Sequence, residues 1–177
     1  SKGYEQWAKI HNLKQAAKTL NFLTEHKIEQ YADLTAKISE ITAASELAAD
    51  SLKAAEKQLA DMAVLIKNVT TYQKTKPAYD AYRKAKNKDK YRAEHERAII
   101  LHEAASKALQ TAGIKKLPNL TLLQAEYEQL QAQKEALYAD YGKLKKQVKE
   151  YDVIKRNIDS ILRKEKELEE ELIKVER

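Results

Sequence analysis

The chain has 177 residues, with 33 Lys and Arg against 27 Asp and Glu for a net charge of +6, no Cys, ten Tyr, three Gly and two Pro. So few turn residues exclude a sheet-rich fold, and the 34% of charged residues marks long helices rather than a globule with a large core. The lack of Cys excludes a disulfide framework and thiolate chemistry, and no apolar run approaches the roughly 20 residues that span a bilayer. A cytoplasmic chain with no membrane partner is the expectation. The sequence opens at Ser1-Lys2-Gly3 without an initiator Met and stops inside a helical pattern at Val175-Glu176-Arg177, so a fragment of a larger protein is expected.

Tyr4, Trp7, Ile10, Leu13, Ala17 and Leu20 recur at three and four residues and predict a first amphipathic helix that fades near Glu25-His26-Lys27. Trp7, alone of its kind, is expected to anchor helix to helix rather than to serve as a ligand platform. From Tyr31 a more regular pattern begins. Tyr31, Ile38, Ser45, Leu52, Leu59 and Ile66 form one series, and Leu34, Ile41, Ala48, Ala55, Met62 and Val69 the other. Together they alternate steps of three and four, which is a coiled-coil seam. Extended to Thr75, this helix is on the order of 65 Å long at 1.5 Å per residue.

Pro77 is expected to break or restart the helix, leaving a short helix from Ala78 to Ala85. Asn87 or Asp89 could cap the next one, which runs to Ala112 with Ile99, Ile100 and Leu101 enclosed on most sides. Gly113 reads as the C-terminal cap, and Thr121 as the cap of a final helix of roughly 50 residues. The seam of that helix is Leu123, Tyr127, Leu130, Leu137, Tyr141, Leu144, Val148 and Tyr151, with Lys134 as a polar intruder. It continues through Ile154, Ile158, Ile161, Leu168, Leu172 and Val175.

Two long helices with matching seams predict an all-α fold: a long antiparallel coiled-coil hairpin, or stalk, with a small helical head at its tip and the N-terminal helix packed at the open end. As one elongated domain over 1–177, the parts are an N-terminal helix 1–28, a stalk helix 29–75, a basic helical head 76–120 and a stalk helix 121–177. A parallel or antiparallel homodimer could satisfy the same heptads.

The charge excess is local. Residues 72–92 carry Lys74, Lys76, Arg83, Lys84, Lys86, Lys88, Lys90 and Arg92 against Asp80 and Asp89, a net +6 equal to that of the whole chain. The same stretch holds Tyr72, Tyr79, Tyr82 and Tyr91. Cationic side chains neutralise phosphates and tyrosines stack on exposed bases, so Lys74, Lys76, Tyr79, Tyr82, Arg83, Lys84, Lys86, Lys88, Lys90 and Arg92 form the candidate DNA-binding set. The competing reading is a solvated turn whose lysines oppose aggregation and whose tyrosines pack the head.

Catalysis has little to stand on: there is no glycine-rich phosphate loop and no Gly-x-Ser-x-Gly elbow. His95 and His102 share a helix face, yet seven residues separate them by about 10 Å of rise, too far for one ion without other ligands. No catalytic residue, metal or cofactor is expected.

Specific strings add to this reading. Trp7-Ala8-Lys9-Ile10-His11-Asn12-Leu13-Lys14-Gln15 with Thr19-Leu20-Asn21-Phe22-Leu23, then Tyr79-Asp80-Ala81-Tyr82-Arg83-Lys84-Ala85, then Lys115-Lys116-Leu117-Pro118 and Glu126-Tyr127, resemble the C-terminal region of conjugative relaxases. These are the mobilisation nucleases of Gram-positive plasmids and integrative elements, and the resemblance covers nearly the whole chain in order. Relaxases place ahead of this region a nuclease domain with a catalytic Tyr and a metal held by a His-hydrophobic-His motif. That motif does not occur here, so no catalytic residue carries over. The resemblance implies a non-catalytic accessory domain that helps bind DNA at the transfer origin during plasmid mobilisation. The alternative is a coiled-coil protein-interaction scaffold that docks transfer or coupling proteins or dimerises.

Overall fold

The structure is a computed structural model that describes residues 2–176; the first and last positions of the predicted domain lie outside the described residues. The described residues form five α-helices, α1 Lys2–Glu25, α2 Tyr31–Lys84, α3 Lys88–Glu94, α4 Glu96–Thr111 and α5 Leu120–Glu176, and no strand. The chain is all-α, and its two long helices α2 and α5 pack against one another as a helical hairpin. No helix among the described residues is long and apolar enough to cross a membrane. The chain divides into two compact units, one of residues up to 49 and from 139, the other of residues 50–138.

In the first unit the predicted seam is the core. Leu34 and Ile41 of α2 close on Tyr151 and Ile154 of α5, with Phe22, Leu23, Ile28, Ile38, Val148 and Ile158 around them. Burying each such aliphatic side chain stabilises by about 1.5–3 kcal/mol. The antiparallel register is fixed at the rim, where the Tyr31 hydroxyl donates to Asp159 Oδ1 at 2.7 Å. α1 joins through Phe22, whose ring meets Tyr151 edge-on at 4.9 Å, and through buried Thr19, whose hydroxyl oxygen accepts from Asn157 Nδ2 at 3.1 Å. The Lys27 and Ile28 N–H groups then return to the Thr24 and Leu23 carbonyls, closing the helix with Lys27 at φ 55°.

Two expectations for this unit are corrected. Trp7, Ile10, Leu13 and Leu20 are not the packed face of α1: Trp7 is 60% exposed, and its stacking partner His11 lies on the same helix. α1 instead packs by the face bearing Thr19, Phe22 and Leu23, so Trp7 anchors no helix pair among the described residues. The α5 seam also loses its cover after Ile158, since Ile161, Leu168, Leu172 and Val175 are all exposed. α2 begins only at Tyr31, opposite Asp159, so beyond that point it offers no facing turn.

In the second unit Val69, Leu109 and Leu123 form the core, flanked by Leu65, Ile66, Tyr72, Ile114, Leu117 and Leu120. The polar intruder Lys134 has a counterpart, with its ammonium 3.9 Å from Glu56 on α2. Gly113 ends α4 at φ 77°, with the Gly113 and Ile114 N–H groups bonded to the Gln110 and Leu109 carbonyls. Ile114 thereby reaches the core beside Leu109.

Four local expectations for this unit are corrected. Pro77 does not break α2, which continues to Lys84, so residues 76–84 of the predicted head belong to the long helix. The helix predicted over 88–112 is interrupted at His95, whose Nδ1 and N–H both meet the Tyr91 carbonyl while its ring stacks on Tyr91 at 4.1 Å. Of Ile99, Ile100 and Leu101 only Ile99 is enclosed. Asn119 rather than Thr121 caps α5, accepting from the Leu122 N–H at 3.1 Å.

Candidate nucleic-acid interface

The basic segment occupies the last turns of α2, the turn 85–87 and α3. Asn87 sets that turn: its side-chain oxygen accepts from the Lys90 N–H at 3.1 Å, while Ala85 N–H closes onto the Tyr82 carbonyl. Lys84, Lys86, Lys88 and Lys90 then follow one another at exposed positions. Lys74 and Arg83 are also exposed, and none of these six cations makes an ion pair within the described residues.

Two of the predicted cations are spent locally. Lys76 donates to Asp80 at 2.7 Å one turn on, and this bond raises the Lys76 pKa and lowers that of Asp80. Arg92 grips Glu103 of α4 with both terminal nitrogens, at 2.8 and 3.4 Å, and its guanidinium carbon stands 5.7 Å from the Tyr82 ring centre. Hydrogen bonding to Glu103 raises the Arg92 pKa further and holds the Glu103 carboxyl below its ordinary value. A guanidinium held in this way braces α3 on α4 rather than standing free for a phosphate.

The tyrosines are brought together as a continuous chain of rings. Tyr72 lies 4.5 Å from His102 and Tyr79 stacks on the same imidazole at 4.4 Å. Tyr79 meets Tyr82 at 6.0 Å, Tyr82 meets Tyr91 at 6.5 Å, and Tyr91 ends on His95. Aromatic contacts of this kind add about 0.5–1.5 kcal/mol beyond area burial. The spacing 72, 79, 82 on α2 places these rings on one helix face, and α3 and α4 return Tyr91 and His102 to it.

His102 is the residue that the sequence did not single out for this role. It is 3% exposed, and its Nδ1 lies 2.9 Å from Thr75 Oγ1. The Thr75 hydroxyl donates to the Thr71 carbonyl at 2.7 Å, so the imidazole N–H is the donor to Thr75. Burial lowers the pKa of the imidazole, against the opposing pull of the Tyr72 carbonyl and of the Asp80 charge. The only signal in the sequence is a His and four Tyr near a mid-helix Pro, and no periodicity connects residues 75 and 102.

The described residues hold no group of three or more His, Asp or Glu side chains that could bind a metal ion. The arrangement therefore consists of a packed aromatic core carrying an exposed row of lysines, whose available chemistry is the neutralisation of anions. No family model matches the chain, and neither the curated proteins nor the solved structures include a match to it.

Proposed function

We propose that the chain is a non-catalytic accessory helical domain of a conjugative relaxase, holding DNA at the transfer origin through the lysines of the turn between α2 and α3. One observation carries this reading: Lys84, Lys86, Lys88 and Lys90 are consecutive exposed cations that make no ion pair within the described residues. The similarity of the quoted strings to the C-terminal region of relaxases supports it from the sequence side. Lys74 and Arg83 extend the cationic surface, whereas Tyr79, Tyr82 and Arg92 serve it as the frame.

Such a surface binds phosphates and not base edges, so affinity should depend steeply on salt and weakly on sequence. Fluorescence anisotropy with labelled duplex and single-stranded origin DNA tests it. Changing Lys84, Lys86, Lys88 and Lys90 together to Glu should abolish binding, and changing them to Ala should flatten the salt slope by about one unit for each phosphate no longer neutralised. Unchanged affinity and slope in the fourfold variants would sink the proposal. A protein-interaction scaffold is the second reading, favoured by the uncovered apolar stripe of α1.

A further inference from the structure

α1 presents two different faces. Thr19, Phe22 and Leu23 lie against α5 and the core of the first unit. At 100° per residue, Ile10 and Leu13 fall on the opposite side and Trp7 and Leu20 on its two flanks, and all four are more than half exposed. Lys2 and Lys9 stand at one edge of this stripe, Lys18 at the other, and Lys14 between Ile10 and Trp7. α1 carries four lysines against Glu5 and Glu25, so the stripe is apolar with a cationic frame.

α5 offers the complement. Past Ile158 its seam keeps the same alternation through Ile161, Leu168, Leu172 and Val175, which are 45–83% exposed. Glu165 lies in this seam, and Glu169, Glu171 and Glu176 flank it, with Lys164 the one cation at its edge among the described residues. Residues 161–176 hold six Glu against Arg163, Lys164, Lys166 and Lys174, so this seam has an acidic frame. The chain cannot join the two faces by itself, because α1 already meets its own α5 with the other side.

We propose that these faces bind each other between two copies of this chain, the α1 stripe of one copy lying on the α5 seam of the other and the reverse contact closing a two-fold dimer. A self-complementary pair of patches is what such symmetry requires. Pairing α1 with α1 would oppose lysines to lysines, and pairing α5 with α5 would oppose glutamates to glutamates, so the charges select the crossed arrangement. This dimer is independent of the DNA reading, since no residue of the basic turn takes part.

Sedimentation equilibrium of the 177-residue chain should give twice the 20.3 kDa of the monomer. Because Trp7 is the single Trp and would be covered, its emission should also shift to shorter wavelength as the chain is concentrated. A Lys9→Glu, Lys14→Glu, Lys18→Glu variant and a Glu165→Lys, Glu169→Lys, Glu171→Lys variant should each dissociate at least about tenfold more readily. Mixed in equal amounts, the two should associate again, because both crossed contacts are then attractive. All six changes in one chain should also restore the dimer. A monomeric wild-type chain, a charge variant that keeps its dimer, or a mixture and sixfold variant that stay monomeric would each overturn the proposal. Circular dichroism of every variant confirms that helix content is kept.

Discussion

Thr75 Oγ1 and His102 Nδ1 lie 2.9 Å apart, two residues before the proline that α2 carries in its interior. A proline removes one helical N–H and crowds the carbonyl four residues back. Here the Thr75 hydroxyl, which accepts from His102, donates to the Thr71 carbonyl of the preceding turn, while Tyr72 and Tyr79 hold the imidazole from two sides. α2 nonetheless continues past Pro77 to Lys84, and the buried Thr75–His102 pair packs the turn just before it.

This arrangement makes stability depend on pH. Burial lowers the His102 pKa below the ordinary 6.5, so below that pH the unfolded chain takes up a proton that the folded chain refuses. Stability should be level above about pH 6.5 and fall as pH drops from there through the lowered folded value. Asp80 and Glu103, which favour the charged imidazole, and Lys76, which opposes it, are the charges facing the site. Below the ordinary carboxyl range a second decline follows, because Asp80, Glu103 and Asp159 have lowered pKa values in the folded chain. Urea denaturation between pH 7 and 5 checks the first part: His102→Gln should lose the slope in that window while the decline at lower pH remains.

Pro77 and His102 should prove energetically coupled. Pro77→Ala restores a helical N–H and should stabilise the chain by about 1–3 kcal/mol. His102→Ala should destabilise it by about 2–4 kcal/mol, through the packing removed between two rings and a Thr75 hydroxyl left without its donor. If the imidazole compensates for the proline, the double variant should be more stable than the sum of the two effects, with an interaction of about 0.5–2 kcal/mol. Simple additivity in chemical denaturation would show that His102 packs the head without serving the proline.

The long helices were legible because a seam of alternating three and four residues leaves a strong period. Leu34, Ile41, Leu52, Ala55, Leu59 and Val69, all read as seam, are all buried. The reading failed where a local rule did not decide the outcome. Pro77 signals a break, yet α2 continues to Lys84, beside a turn packed by His102, 27 positions from Thr75. α1 shows the same limit, because its clearest apolar stripe is the uncovered one and its buried contact is made by Thr19 with Asn157, a polar pair that no hydrophobic pattern contains. The basic segment was legible as composition. That its tyrosines face one another and that Arg92 holds Glu103 depends on how α3 and α4 fold back, which charge sums do not encode.

Two helices end in the same hydrogen-bonded motif with different residues at the key position. α1 closes through Ile28 N–H to the Leu23 carbonyl with Lys27 at φ 55°, and α4 closes through Ile114 N–H to the Leu109 carbonyl with Gly113 at φ 77°. A left-handed backbone costs an L-residue roughly 1–2 kcal/mol through its Cβ, and costs glycine little. Lys27→Gly should therefore stabilise the chain by about 0.5–1 kcal/mol, the gain being reduced by the extra freedom of an unfolded glycine. Gly113→Ala should destabilise it by about 1–2 kcal/mol. A Cβ at Gly113 would meet no atom within 4 Å, so the cost there is backbone strain alone and no repacking can relieve it. Thermal denaturation of the two variants beside wild type checks both signs at once. A loss of stability on Lys27→Gly would mean that the lysine side chain contributes more at this turn than its backbone costs, and that the two caps are not equivalent.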